Sequence, residues 1–221
     1  MIAVSVLVVA KAPVPGLAKT RLAATVGDEV AADIAAAALL DTLDAVADTP
    51  VAARVVALTG DLGRACRGDE IRTRLREFTV IEQRGDDFAA RLANAHADTA
   101  AATGGLPVLQ IGMDTPQVDA ALLDGCAQVL TDADALLGLA SDGGWWVLGV
   151  TDAAAAGCLR EVPMSVPDTG AKTLAALQRS GLDVHLVDEL ADVDTIDDVA
   201  AVRDACGPGS RFYRATAPAG A

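Results

Sequence analysis

Aromatic residues are scarce: one Tyr, two Trp and three Phe make up 3% of the 221 residues. Proteins that bind single strands stack successive bases on aromatic platforms, so a surface of that kind is excluded. Positive charge is scarce as well. Seventeen Lys and Arg stand against 31 Asp and Glu, a formal net charge of −14, whereas a duplex-binding face is basic. Nucleic acids and anionic membranes are therefore not expected as partners, although an acidic protein can hold a nucleotide if its few cations converge. The four cysteines, Cys66, Cys126, Cys158 and Cys206, form no CxxC pair and have no nearby His to complete a zinc set. They read as free thiols in a reducing compartment. His96 and His185 have no partner in sequence and read as core or surface residues. No run reaches the roughly 18 apolar residues of a membrane helix. The apolar Ile2–Ala10 segment is short and precedes Lys11 rather than following a basic residue, so it does not read as a signal peptide. A cytoplasmic location is the expectation.

With 52% hydrophobic residues, much of it Ala, the chain can build one sizeable core. A single domain is expected over residues 1–206, with a frayed Pro/Gly/Ala-rich tail at 207–221. IAVSVLVVA at 2–10 is β-branched and apolar on both faces, the pattern of a buried parallel strand. Further strands are predicted at 53–58, 79–82, 107–111, 135–139, 145–150 and 184–187. Helices are predicted at 28–47, 61–76, 88–102, 119–130, 172–180 and 196–205. Strands alternating with helices imply a mostly parallel sheet flanked on both faces. Such sheets bind ligands beyond the carboxyl ends of their strands. Loops after residues 10, 111 and 187 place chemistry-capable side chains there.

The first of these loops reads KAPVPGLAKTRL from Lys11 to Leu22. The Pro15-Gly16 turn forbids regular structure. Lys11, Lys19 and Arg21 put three cations within eleven residues, and a helix starting near 18–20 would add its positive N-terminal end. Lys offers a point charge and Arg a bidentate fork for phosphate oxygens. The loop is neither a Walker A sequence nor a GxGxxG fingerprint, and a solvated basic turn capping a helix fits the same spacing. Asp114, set directly after a buried strand and stiffened by Pro116, suits a Mg²⁺ ligand or a helix cap. Asp142-Gly143-Gly144 suits acceptor or sugar binding, or an ordinary hairpin turn. Trp145 and Trp146 face opposite sides of a strand, one toward the core and one toward a pocket.

KAPVPGLAKTRL resembles the N-terminal signature of a bacterial family of radical-SAM/selenodomain-associated transferases, glycosyltransferase-like proteins with the GT-A-like nucleotide-diphospho-sugar transferase fold. The resemblance continues through Gly85-Asp86, Gly112-Met113-Asp114-Thr115-Pro116, Asp142-Gly-Gly-Trp145 through Gly149, and Asp192-Val-Asp194-Thr195, and so covers nearly the whole chain. AKTRL and DVDT are more distantly similar to segments of 2-phospho-lactate guanylyltransferases and molybdenum-cofactor nucleotidyltransferases. Met113 departs from the usual Ser or Thr, and Trp145-Trp146 from the usual tyrosines.

The resemblance implies a Rossmann-type three-layer α/β sandwich with a mixed, mostly parallel sheet. It implies a phosphate site of Lys11, Pro15, Gly16, Lys19, Arg21, Gly85 and Asp86, with Lys19 and Arg21 catalytic. It implies Mg²⁺ or Mn²⁺ on Asp114 and Asp194, and an acceptor site of Asp142, Gly143, Gly144 and Trp145. Thr195 and the acids after it also suit a helix cap. The expected activity is nucleotidyl transfer from an NTP to a small phosphorylated or acidic acceptor. Transfer of a sugar from a nucleotide-diphospho-sugar is the alternative, and an inactive nucleotide-binding protein a third. The nucleotide base, the acceptor and the oligomeric state, with a homodimer as one candidate, stay open.

Overall fold

The computed structural model describes residues 1–217. In chain order the elements are β1 (Ile2–Lys11), α1 (Thr20–Val26), α2 (Asp28–Asp48), β2 (Val51–Thr59), α3 (Gly68–Arg74), β3 (Thr79–Glu82), α4 (Phe88–Thr103) and β4 (Val108–Ile111). They continue with α5 (Ala120–Val129), β5 (Ala135–Ala140), β6 (Trp145–Val150), a 3₁₀ segment (Ala153–Glu161), α6 (Thr169–Arg179), β7 (Val184–Leu190), α7 (Ile196–Ala205) and α8 (Arg211–Thr216).

The period-2 geometry of a strand divides β1 between two cores. Val4, Val6, Val8 and Ala10 meet α2, α3 and α5, with Leu39, Leu43, Ile71 and Leu123 among their neighbours. Leu7 and Val9 meet α4, the 3₁₀ segment and α6 through Leu92, Ala156, Leu159 and Leu177. A sheet covered on both faces makes three layers. On the outer side of α2 a further cluster packs Leu22 of α1, Val199 and Val202 of α7 and Phe212 of α8 with Ile34 of α2. Helix α2 is thus apolar nearly all round, with 13 of its 21 residues buried. Its Ala content permits close approach on both sides. No helix of the described residues is long and apolar enough to cross a membrane.

The strand order is β3-β2-β1-β4-β6-β5-β7. All neighbours are parallel except β6, which runs antiparallel to β4 and β5. The mixed, mostly parallel sheet is the one expected. The reversal of β6 matters for the site, because its N-terminal end lies at the edge where β1, β4 and β7 finish.

Two expectations are corrected, and one segment with no predicted element is structured. Residues 61–67 are turns rather than helix: Asp61 Oδ1 accepts from the Gly63 amide at 2.7 Å, and the Cys66 amide is held by the Pro13 carbonyl at 3.0 Å. Residues 153–161 are structured as 3₁₀ helix, with Ala156 and Leu159 buried. The tail is not frayed over its described length, because Phe212 is fully buried. Asp41 on α2 accepts from the amides of Arg211 and Phe212 at 3.0 and 2.7 Å, and the Arg211 guanidinium meets Asp44 at 2.5 Å and Glu70 at 2.8 Å. Residues 218–221 of the expected tail lie outside the described residues.

Candidate active site

A cleft of about 760 Å³ opens along the carboxyl edge of the sheet. The segment after β1 enters it through Lys19, whose backbone is left-handed at φ +48°. A non-glycine residue holds such a conformation only where its surroundings over-determine it. Here they do: the Lys19 ammonium lies 3.0 Å from Asp114 Oδ2 and 3.9 Å from Asp194 Oδ1, and it also donates to the Val193 carbonyl. Arg21 donates to Asp194 Oδ2 at 2.5 Å. The Val193 amide donates to the Asp114 carbonyl at 3.1 Å, joining the segments after β4 and β7. Thr195 does cap α7, in a capping box with Asp198. Burial pushes the Asp198 carboxyl up, but bonds from Thr195 and from the Asp194 amide outweigh it and hold it below its usual range.

Of the expected site residues, Lys11, Lys19, Arg21, Asp114, Asp142, Gly144, Trp145 and Asp194 line this cleft. Pro15, Gly16, Gly85, Asp86 and Gly143 are not among its lining residues. Gly16 has φ +76° and its turn faces Asp28 rather than the cleft. The Gly85 carbonyl accepts from Arg91 Nε at 3.2 Å, and Asp86 is exposed. A side chain at Gly143 would collide with the Pro167 carbonyl, at 1.8 Å from an ideal Cβ. Gly143 therefore seats one loop against another. Asp142 Oδ1 accepts from the Gly144 amide at 2.7 Å. The two tryptophans face opposite sides of the sheet, yet both line the cleft: Trp146 is buried and donates to the Asp188 carbonyl at 2.9 Å, and Trp145 is half-buried. Met113 is buried in the core, and its sulfur accepts the Lys11 amide at 3.2 Å. The departure from Ser or Thr thus supports the first loop from below.

Several cleft residues were missed from the sequence, Gln83, Phe88, Arg91 and Asp192 among them. Asp192 carried a readable signal, an acid two residues before Asp194. Burial first, then the charge of Asp142, pushes its carboxyl up to about 6. Arg91 lies inside α4, in no local motif. Neither it nor Lys11 forms an ion pair among the described residues. The Lys11 ammonium donates only to the Leu17 carbonyl, at 2.7 Å.

Asp114 and Asp194 both bring hard oxygen donors to one cation, the Lys19 ammonium, and carboxylate oxygens are the donor chemistry that Mg²⁺ or Mn²⁺ takes. No cluster of three or more His, Cys, Asp or Glu able to hold a metal occurs among the described residues.

A model of the family described as "Uncharacterized protein conserved in bacteria (DUF2064)" matches residues 42–166, more than half of the chain. The chain belongs to that family. The matched stretch of this DUF2064 protein contains Asp114 and Asp142–Trp145, while Lys19 and Asp194 lie outside it. No curated protein matches the chain. Among solved structures, a protein provisionally described as a nucleotide-diphospho-sugar transferase, from Desulfovibrio desulfuricans G20, is 25% identical with a TM-score of 0.84 over 97% of this chain and 94% of its own. Rv0371c of Mycobacterium tuberculosis, solved as a complex with manganese, is 20% identical with a TM-score of 0.52 over 90% and 97%. A CMP:2-keto-3-deoxy-manno-octonic acid synthetase complexed with CTP is 13% identical with a TM-score of 0.51 over 91% and 97%. At the last two identities the likeness is one of fold. The DUF2064 protein therefore has the α/β fold of nucleotide-diphospho-sugar transferases and nucleotidyltransferases.

Proposed function

We propose that the protein is a Mg²⁺-dependent nucleotidyltransferase that moves the nucleotidyl group of an NTP to a small phosphorylated or acidic acceptor. The observation that carries this is the convergence of Lys11, Lys19, Arg21 and Arg91 on one cleft, in a chain with only 17 Lys and Arg. An NTP carries more negative charge than a nucleotide-sugar, and that charge must be met as pyrophosphate departs. In the step, an acceptor oxygen attacks the α-phosphorus in line. The bond from phosphorus to the bridging oxygen breaks, and pyrophosphate leaves with the electron pair. Lys19 and Arg21 stabilise the charge that develops, while Lys11 and Arg91 hold the outer phosphates. A divalent ion on Asp114 and Asp194 supplies Lewis-acid polarisation of phosphate oxygens. Asp142, Gly144 and Trp145 face the acceptor.

The second reading is sugar transfer from a nucleotide-diphospho-sugar. It is favoured by the likeness to the Desulfovibrio protein and agrees with the resemblance to radical-SAM/selenodomain-associated transferases. The experiment is a donor screen with Mg²⁺ over NTPs and UDP- or GDP-sugars, read by pyrophosphate and by free nucleotide. Pyrophosphate release from an NTP supports the proposal. Turnover of a nucleotide-sugar alone replaces it with the second reading, and no turnover of any donor leaves a nucleotide-binding protein.

A further inference from the structure

Strand β4 turns one polar side chain into the core. Leu109 and Ile111 belong to the core toward α2 and α5, and Val108 to the core toward α4, so the period of two points Gln110 toward α4 as well. Gln110 is 2% exposed, yet it lines the cleft. Val9, Leu92, Trp145 and Met164, which pack on the same face, line the cleft with it. The cleft thus runs down on the α4 face of the sheet as an apolar arm, with one carboxamide at its floor.

Gln110 Oε1 is buried without a partner among the described residues, which leaves Nε2 as the end of the carboxamide that meets the cleft. Behind it lies His96 of α4, fully buried and without a partner on either ring nitrogen. Burial pushes that imidazole down to about 4, and the facing Gln110 carboxamide acts in the opposite sense. The ring is therefore neutral, with one N–H to give and one bare nitrogen. Buried polar groups in folded proteins are paired. The pairing open to these two is the imidazole N–H with Gln110 Oε1, which fixes the carboxamide and aims Nε2–H up the arm. A charged ligand group there would be unpaired among apolar side chains, whereas a carbonyl oxygen would complete the Gln110 amide.

In-line transfer puts the acceptor across the α-phosphorus from the outer phosphates. Lys11 ends β1, β4 lies beside it, and Trp145 opens β6 beyond, so the β6 wall of the arm is on the acceptor's side. We infer that Gln110 is an acceptor-binding residue, oriented by His96 as a positioning residue, and that the acceptor carries an uncharged carbonyl on an apolar ring or chain. The acceptor's attacking oxygen stays beside Asp142 and Gly144 while its carbonyl accepts from Gln110 Nε2. Calling this ligand the acceptor rests on the nucleotidyl-transfer reading above.

The test is nuclear magnetic resonance of the protein titrated with benzamide, an uncharged ring bearing a carbonyl, and with benzoate, the same ring bearing a charge. The chain has two His, so the ring nitrogens of His96 and His185 are readily told apart. Benzamide shifts the Gln110 side-chain amide and the His96 ring signals and leaves His185 unmoved, while benzoate binds about tenfold more weakly. Gln110→Met, which keeps the length and removes the donor, raises the Kd for benzamide about tenfold. In His96→Leu the Gln110 amide protons lose their fixed shifts. Tripolyphosphate with Mg²⁺ leaves benzamide bound. If benzamide shifts neither Gln110 nor His96, or if Gln110→Met binds it as well as wild type does, the site is wrong. Benzoate binding as tightly as benzamide overturns the substrate class, and Gln110 signals unmoved in His96→Leu overturn the positioning role. Displacement of benzamide by tripolyphosphate puts the arm on the donor's path and overturns its assignment to the acceptor. None of these measurements needs an NTP to turn over, so the arm can fail while nucleotidyl transfer stands, and the donor screen can fail while the arm stands.

Discussion

Replacing Lys19 by Met keeps most of the stem and removes the charge between Asp114 and Asp194. In a partly exposed setting two unit charges about 4 Å apart attract by roughly 4 kcal/mol. That is a gross figure. The Lys19 side chain is 10% exposed and has paid desolvation, while Asp114 and Asp194 are 40% and 33% exposed and well screened. The net loss of stability in the free protein is therefore about 1–2 kcal/mol, or about 2–8 °C in Tm for a chain of this size. A divalent ion responds in the opposite sense. In the wild type it must displace the Lys19 ammonium from the two carboxylates; in the variant nothing competes. Thermal unfolding with and without Mg²⁺ or Mn²⁺, in the absence of nucleotide, should show larger stabilisation by metal in Lys19→Met than in wild type. With an NTP present the order reverses, because Lys19 then binds phosphate, and kcat/KM falls by about two to three orders of magnitude, or ~3–4 kcal/mol. A variant with unchanged kcat/KM and no added response to metal would refute this account. Lys19 would then be only a structural tie between the segments after β1, β4 and β7.

Asp114→Asn retains the fold and loses most activity, and NTP affinity no longer responds to Mg²⁺; full turnover by this variant removes Asp114 from the mechanism. His96 is fully buried and burial pushes its imidazole down to about 4. The unfolded chain takes up the proton near 6.5 while the folded one does not, so the stability His96 confers above that pH is lost as pH falls from 6.5 toward 4. At 1.36 kcal/mol per pH unit the loss approaches about 3 kcal/mol. The difference in unfolding free energy between wild type and His96→Leu, followed by urea titration across this window, should track it; a pH-independent difference would refute it. Phe212→Ala should cost about 3–5 kcal/mol of stability, measured by urea unfolding, although it lies in the segment that composition alone marks as a frayed tail.

Local signals carried much of the reading. The double-faced apolar run of β1, the strand–helix alternation and the positions of β3, β6 and α7 follow from periodicities that act over a few residues, and these are legible along the chain. So is the division of Trp145 from Trp146, since adjacent strand residues point apart. The basic loop and the strand-end aspartates declared themselves by residue type, and DUF2064 membership is itself a property of sequence. The Asp142–Trp145 turn is different. It reaches the site only because β6 runs against its neighbours, and strand direction is decided by pairing between residues far apart in the chain. Arg91, Gln83 and Phe88 stand in no motif and enter the cleft because β3 packs beside β2 and carries α4 with it. Gly143 looked like a ligand loop, yet the space for its missing side chain is filled by a carbonyl twenty-four residues later. The tail became a helix because Asp41 and Asp44 on α2 supply acceptors for Arg211 and Phe212, a long-range match that a Pro/Gly/Ala composition conceals. The sequence by itself determined which chemical groups are present and which segments are buried strands. The tertiary structure decided which groups share a cleft, and that Lys19 lies between the two carboxylates, because those distances are set by packing between segments remote in sequence.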